Sequence, residues 1–224
     1  MTLSIVARCA RTKQFGIAIA SSSLAVAARC AYVRAGVGAV ASQNLTDPSL
    51  GPRGLDLMGG GASAAEALAA LRAANGHMKY RQLCLVDQKG GIASFSGPRA
   101  LGIHARAEGD GAAAAGNMLA NERVPAAMIS AFEHSRSDPL AERLLVALEE
   151  GVAAGGEMGP LFSAGLLVAD TVSWPVTDLR VDWDERPLAA LRKLWTLWAP
   201  QAEAYVQRAV NPVAAPTFGV AGDP

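Results

Sequence analysis

Charge of either sign is scarce in this chain of 224 residues: Asp, Glu, Lys and Arg make up 18% of it, below the usual share of about a quarter. The 20 basic and 20 acidic residues cancel. Holding nucleic-acid phosphates as a main task needs a basic surplus, so the balance excludes that class. Cysteines number three, Cys9, Cys30 and Cys84. They are odd in count and lack metal-type or redox-type spacing, which points to a reduced, cytoplasmic protein. No apolar run approaches the ~18 residues of a membrane span. The opening MTLSIVARCARTK has no basic stretch before an apolar one, so it does not read as a signal peptide. The three histidines, His77, His104 and His134, are far apart. No metal site and no cofactor can be drawn from them.

What is abundant is small and apolar. Gly numbers 23 and the hydrophobic share is 51%, too high for a disordered chain. Residues 1–224 read as a single domain long enough to bury a sizeable core. Its C-terminal helical segment covers 185–210, and 211–224 is a loop or a strap on a neighbour.

Along the chain, TLSIVARC and GIAIASSSLAVA flank the polar turn ARTKQFG and predict a hairpin. YVRAGVGAVAS predicts a third strand. GPRGLDLM predicts a short helix ending at Gly59, Gly60 and Gly61. Ser63 with Glu66 three residues later is a capping box opening a second helix, which stops at Asn75 and Gly76. YRQLCLVD and GIASFSG predict a second hairpin around Gly90. GAAAAGNML is a further strand. Asn121 is placed to cap a helix through VPAAMISAFEHS, and Asp138-Pro139 to start PLAERLLVALEE, which Gly151 ends. SAGLLVAD reads as a buried strand, and Asp184 as the cap of PLAALRKLWTLW, whose Leu188, Leu191, Leu194, Trp195 and Trp198 form an apolar stripe ended by Pro200. Strands come in runs rather than in strict alternation with helices, which favours an α+β fold with antiparallel sheets. Ala- and Gly-rich strands suit two sheets packed face to face.

Two motifs invite a chemical reading. Gly36-Val37-Gly38-Ala39-Val40-Ala41 fits a loose dinucleotide fingerprint, but the residues after it are strand-like where the motif needs a helix. A close-packed strand is the better reading. The N-terminus carries more. A small residue after Met1 permits removal of the methionine, and a freed Thr2 holds its hydroxyl beside its own α-amine. That amine has an ordinary pKa of about 7.7–8.0, and a Thr with an N-terminal amine is a nucleophile–base pair. With Met1 attached, that nitrogen is an amide and the pair does not exist.

The blocks TLSIVARC, FGIAIASSSLAVAA, RAGVGAVASQ, DPSLGPRGLDLM, AAGNMLA and LAERLLVALEEGVAAGG, in this order, resemble a bacterial family of uncharacterised proteins placed with the N-terminal nucleophile (Ntn) hydrolases. The resemblance runs from Thr2 to about Trp198. It implies a four-layer αββα sandwich, two antiparallel sheets between helix layers. It also implies amide-bond hydrolysis with Thr2 as nucleophile. Arg34 matches a basic residue on the third strand, and Ser21 or Ser22 a polar support at the end of the second. Gln43 and Asn117 are candidate oxyanion donors. Two positions depart from the family's pattern. Ser22 stands where a basic residue often succeeds the strand serine. The loop AGGEMGPLFSAG carries Glu157 for an aspartate, then Met158, Pro160, Leu161 and Phe162 where polar residues are usual.

These readings lead to an Ntn-type amidohydrolase acting on a small amide or peptide-like molecule. The rival is a catalytically inactive αββα binding or assembly module. The Trp-bearing C-terminal helix and Pro-rich tail predict a homo-oligomer. Neither a nucleic-acid nor a membrane partner is expected.

Overall fold

The computed structural model describes residues 1–219. In chain order the elements are β1 (Thr2–Arg8), β2 (Phe15–Ser21), α1 (Val26–Cys30), β3 (Ala31–Arg34), β4 (Gly38–Asn44), α2 (Leu50–Gly59) and α3 (Ala64–Ala74). Next come β5 (Arg81–Asp87), β6 (Ile92–Ser96), β7 (Ala105–Gly109), β8 (Ala112–Asn117), α4 (Val124–His134) and α5 (Leu140–Ala153). The last are β9 (Ser163–Ala169), β10 (Pro175–Val181), α6 (Pro187–Trp198) and α7 (Ala202–Val210). No helix among the described residues is long and apolar enough to cross a membrane.

The strands form two sheets, one of six in the order β10-β9-β2-β1-β8-β7 and one of four in the order β3-β4-β5-β6. Every strand pairing is antiparallel. The period-2 alternation of β1 separates two layers of core. Leu3, Ile5 and Ala7 join Met128, Phe132, Leu144 and Leu148 of α4 and α5 on the outer face of the six-stranded sheet. Val6 turns the other way and meets Ile17, Ile19, Ala39, Ala41, Cys84, Val86, Ala113 and Ala115 between the sheets. Val40, Leu83 and Leu85 on the far face of the four-stranded sheet pack against Leu50, Leu55 and Met58 of α2 and Leu71 of α3. The result is a four-layer αββα sandwich of the α+β class. Its middle layer is rich in alanine, so the two sheets approach closely.

Local signals account for most element ends. The capping box forms: Ser63 Oγ accepts from the Glu66 N–H and Glu66 Oε2 from the Ser63 N–H. Arg192 and Trp195 of α6 reach the acids of α5. Arg192 Nη1 lies 2.7 Å from Glu142, its Nη2 2.6 Å from Glu149, and Trp195 Nε1 donates to Glu142. This pins α6 to α5.

Several expectations need correction. YVRAGVGAVAS is not one strand but the β3–β4 hairpin, turned at Gly36 with φ +69°. Gly36 supplies the left-handed conformation that L side chains avoid. Gly38 is required by contact, since a Cβ there would lie 2.2 Å from the Val86 carbonyl oxygen. Because a strand rather than a helix comes after the turn, the dinucleotide geometry does not arise. The five-residue helix α1 is too short to carry a periodic signal, and β7 is a short edge strand in which Ala105 and Ala107 alternate with Arg106 and Glu108 and no residue is fully buried. Asn121 and Asp184 do not occupy the caps, which are Arg123 and Arg186. Each instead accepts the N–H of that residue two positions on, at 2.9 and 2.7 Å. α5 starts from Pro139 without a side-chain cap and runs past Gly151 to Ala153. Leu194 of the α6 stripe faces outward. In the tail, the Phe218 ring meets Tyr205 edge-on and lies under Arg208, both on the chain's own α7. Residues 220–224 of the expected tail lie outside the described residues.

Candidate active site at the start of the first strand

Thr2 opens β1 in the middle of the six-stranded sheet, opposite Asn117 of β8. It shares the inward face of β1 with Ser4, so both hydroxyls point between the sheets and both residues are buried. Thr2 Oγ1 stands 3.3 Å from Ser21 Oγ, and both hydroxyls donate to the Met1 carbonyl. Ser21 Oγ is 2.9 Å from Ser23 Oγ, which accepts from Arg29 Nη2 at 3.0 Å. A line of hydroxyls thus connects Thr2 to a cation. The loop that carries Ser23 is fixed by Ser163, whose hydroxyl donates to the Ser23 carbonyl and accepts from the Val26 N–H.

Beneath Thr2, four side chains form a buried network. Ser4 Oγ donates to Gln43 Oε1 at 2.6 Å. Gln43 Nε2 donates to Gln82 Oε1 at 2.7 Å and to the Ala115 carbonyl at 3.3 Å. Asn117 Nδ2 donates to the same Gln82 Oε1 at 3.1 Å. Gln82 Nε2 donates to Ser96 Oγ and to the Gly116 carbonyl, both at 2.9 Å. Asn117 Oδ1 is buried without a partner. Each amide of Gln43 and Gln82 has therefore spent both of its donors, whereas Asn117 retains capacity.

Above Thr2 lies Glu157. It is buried, its Oε2 accepts from the Ser22 N–H at 3.3 Å and its Oε1 has no partner. A short bridge to Leu119 and the Met158 N–H on the Met118 carbonyl tie its loop to the end of β8. Burial pushes the Glu157 carboxyl up to about 7, against the opposing pull of the positive amino terminus and of the Ser22 hydrogen bonds. Met1 packs over the same loop, where a Cβ on Gly159 would lie 2.9 Å from its Cε. A cavity of about 410 Å³ adjoins Glu157, lined also by Val152, Pro160, Leu161, Arg186 and Leu188. A larger one, about 610 Å³, lies between α2 and α3 and touches none of these residues.

Of the residues singled out in the sequence, Thr2, Ser21, Gln43 and Asn117 come together. Ser22 contributes its backbone N–H to Glu157 rather than its hydroxyl to Thr2. Arg34 does not join them. It pairs with Gly38 in the β3–β4 register, whereas Gln43 lies five positions further along β4, about 16 Å at the rise of an extended strand. Its guanidinium is 2.9 Å from Asp56 on the exposed rim. The cation connected to Thr2 is Arg29, which the sequence does not single out, nor does it single out Ser23 or Gln82. No motif marks Arg29 or Ser23. A polar Gln82 amid the apolar run of β5 is the one available signal, a buried amide needing partners.

A profile of a family of unknown function, DUF1028, matches residues 2–191. The crystal structure of protein SPO2555 from Silicibacter pomeroyi, assigned to that family, is similar over 91% of this chain and 94% of its own, with a TM-score of 0.83 and 29% identity. A second solved structure, Anbu (ancestral beta-subunit) from Yersinia bercovieri, aligns over 91% of this chain and 97% of its own at 12% identity, with a TM-score of 0.38. No protein with a curated description matches. With 190 consecutive residues matched, from the first strand into α6, the chain belongs to the DUF1028 family of unknown function.

Proposed function

We propose that the protein is an Ntn-type amidohydrolase that acts, once Met1 has been removed, on a small apolar amide or peptide-like molecule. The observation that carries this reading is the pair of hydroxyls, Thr2 Oγ1 and Ser21 Oγ, converging on the Met1 carbonyl at the head of a central strand. Loss of Met1 leaves the Thr2 amine in that setting, beside its own hydroxyl. The amine takes the hydroxyl proton as Oγ1 attacks the substrate carbonyl carbon. Asn117, with amide capacity left, stabilises the oxyanion. The amine returns the proton to the leaving nitrogen, and water then hydrolyses the Thr2 ester. Ser21 orients the hydroxyl, and Arg29, acting through Ser23 and Ser21, favours the neutral amine. The recess beside Glu157 falls in the size range of small-molecule pockets, and its Val152, Pro160, Leu161 and Leu188 suit an apolar acyl group.

The test is turnover of a panel of chromogenic amides by the native protein, Thr2→Ser and Thr2→Ala. Hydrolysis kept by Thr2→Ser and lost by at least about a hundredfold in Thr2→Ala supports the reading. Hydrolysis by all three proteins alike overturns it. A second reading, a binding module without catalysis, is favoured by the saturated amides of Gln43 and Gln82 and by Arg34 pairing away from Thr2. It expects no turnover from any of the three. The proposal extends to a homo-oligomer, supported by Leu194 and Leu197 on the outer side of α6. A monomer mass in light scattering would contradict that part.

A further inference from the structure

The opposite end of β1 holds a second cluster, unrelated to Thr2. Six strand steps separate Thr2 from Arg8, about 20 Å. There a cavity of about 290 Å³ is lined by Arg8, Arg11, Lys89, Arg136 and Arg143, with Asp110 the one carboxylate among its lining residues. In a chain of zero net charge, this concentrates four uncompensated positive charges.

The arrangement is built rather than incidental. Arg143 is 7% exposed. Its Nε and Nη2 donate to the Phe132 carbonyl at 3.3 and 3.0 Å, and its guanidinium lies 3.8 Å over the Phe132 ring. Arg11 is held by the carbonyls of Ser137 and Asp138. Asp110 is taken by Arg136 at 3.1 Å. Among the described residues, no carboxylate pairs with Arg8, Arg11, Lys89 or Arg143. Arg8 Nε is buried without a hydrogen-bond partner. Buried charge without a counter-charge is costly, and a low-dielectric cleft lined by one sign focuses its field on an anion.

We propose that this cavity binds a small phosphate-bearing anion. Guanidinium forks match phosphate oxygens in pairs, and several uncompensated charges select a multivalent ligand over a monovalent one. The volume leaves room for a phosphate and a short ester group. Apart from Cys9 and Ala10 the lining has no apolar side chain, so the charged groups dominate what it can bind.

The experiment is isothermal titration of the full chain in phosphate-free buffer at low salt. Inorganic phosphate, glycerol phosphate and citrate are the probes. Saturable binding of phosphate or the ester is expected, weakening at least fivefold in high salt. The double variant Arg8→Gln/Lys89→Gln should bind at least about tenfold more weakly, with its melting temperature unchanged. Tighter binding of the ester names a phosphate ester as the source, tighter binding of phosphate names the free anion, and equal binding shows that the phosphate group alone is recognised; each supports the proposal. If that variant fails to fold, Arg136→Gln, an exposed change, supplies the same comparison. Silence of both phosphate probes, binding of citrate alone, or equal affinity in wild type and variant overturns the proposal.

Discussion

Thr2 Oγ1 and Ser21 Oγ stand 3.3 Å apart at the head of neighbouring strands and converge on one carbonyl, that of Met1. The pairing of β1 with β2 brings them there, because Leu3 lies opposite Ala20 and the next position outward pairs Thr2 with Ser21. Ser21→Ala removes the hydroxyl that links Thr2 to Ser23 and Arg29 while leaving the strand intact. Amide turnover should fall by roughly ten- to a hundredfold, with KM little changed. The stability cost should be about 1 kcal/mol. Steady-state kinetics beside a denaturation curve checks both.

Gln82 holds the polar layer together. It accepts from Gln43 and Asn117 and donates to Ser96 and Gly116. Gln82→Leu leaves several buried groups without partners, each costing about 1–3 kcal/mol. The loss should total about 2–4 kcal/mol, or roughly 5–15 °C in melting temperature for a chain of this size. An unchanged melting curve would show that the network carries no stability.

Glu157 predicts a pH dependence with a definite sign. Its carboxyl is raised from 4.5 to about 7 by burial, so between those values the folded chain binds more protons than the unfolded one. Its contribution is fully present below about pH 4.5 and is lost as pH rises through about 7. On protein that retains Met1, Glu157→Gln should match wild type near pH 4.5 and exceed it at pH 8 by up to about 3 kcal/mol. Chemical denaturation at the two pH values measures the difference.

The closeness of the sheets can be probed without touching the site. Ala113 pairs with Val6 in β8–β1 and sits fully buried in the inter-sheet layer. Ala113→Leu forces side chains into a space built for methyl groups and should cost about 1–3 kcal/mol. The melting temperature should drop by several degrees while the far-ultraviolet spectrum is retained.

The frame of this fold was legible because its signals are local. The polar turn before Phe15 and the Ser63–Glu66 box each act within a few residues, and each forms as the sequence predicts. The β3–β4 hairpin was hidden because its turn is a single glycine between two Ala- and Val-rich segments. β7 was hidden because its alternation, Ala105 and Ala107 against Arg106 and Glu108, is only five residues long and rests on alanine. The site shows the same division. Thr2, Ser21, Gln43 and Asn117 lie at strand ends that the hairpins align. Arg34 sits at the far end of β3, opposite Gly38, because register, not sequence position, decides which end of a sheet a residue occupies. Gln82 joins through contacts with distant segments, Gln43 and Asn117, which no spacing in the chain encodes; Arg29 reaches Ser23 only six residues back, from the five-residue helix α1, which is too short to show a pattern.

The proposed chemistry requires Thr2 to become a free N-terminal nucleophile. Peptide-mapping mass spectrometry of untagged protein, treated with an acylating β-lactone, tests it most directly. The expected product is a peptide beginning at Thr2, without Met1, carrying one acyl group on that residue and none in Thr2→Ala. Retention of Met1, or an adduct that persists in Thr2→Ala, would contradict it.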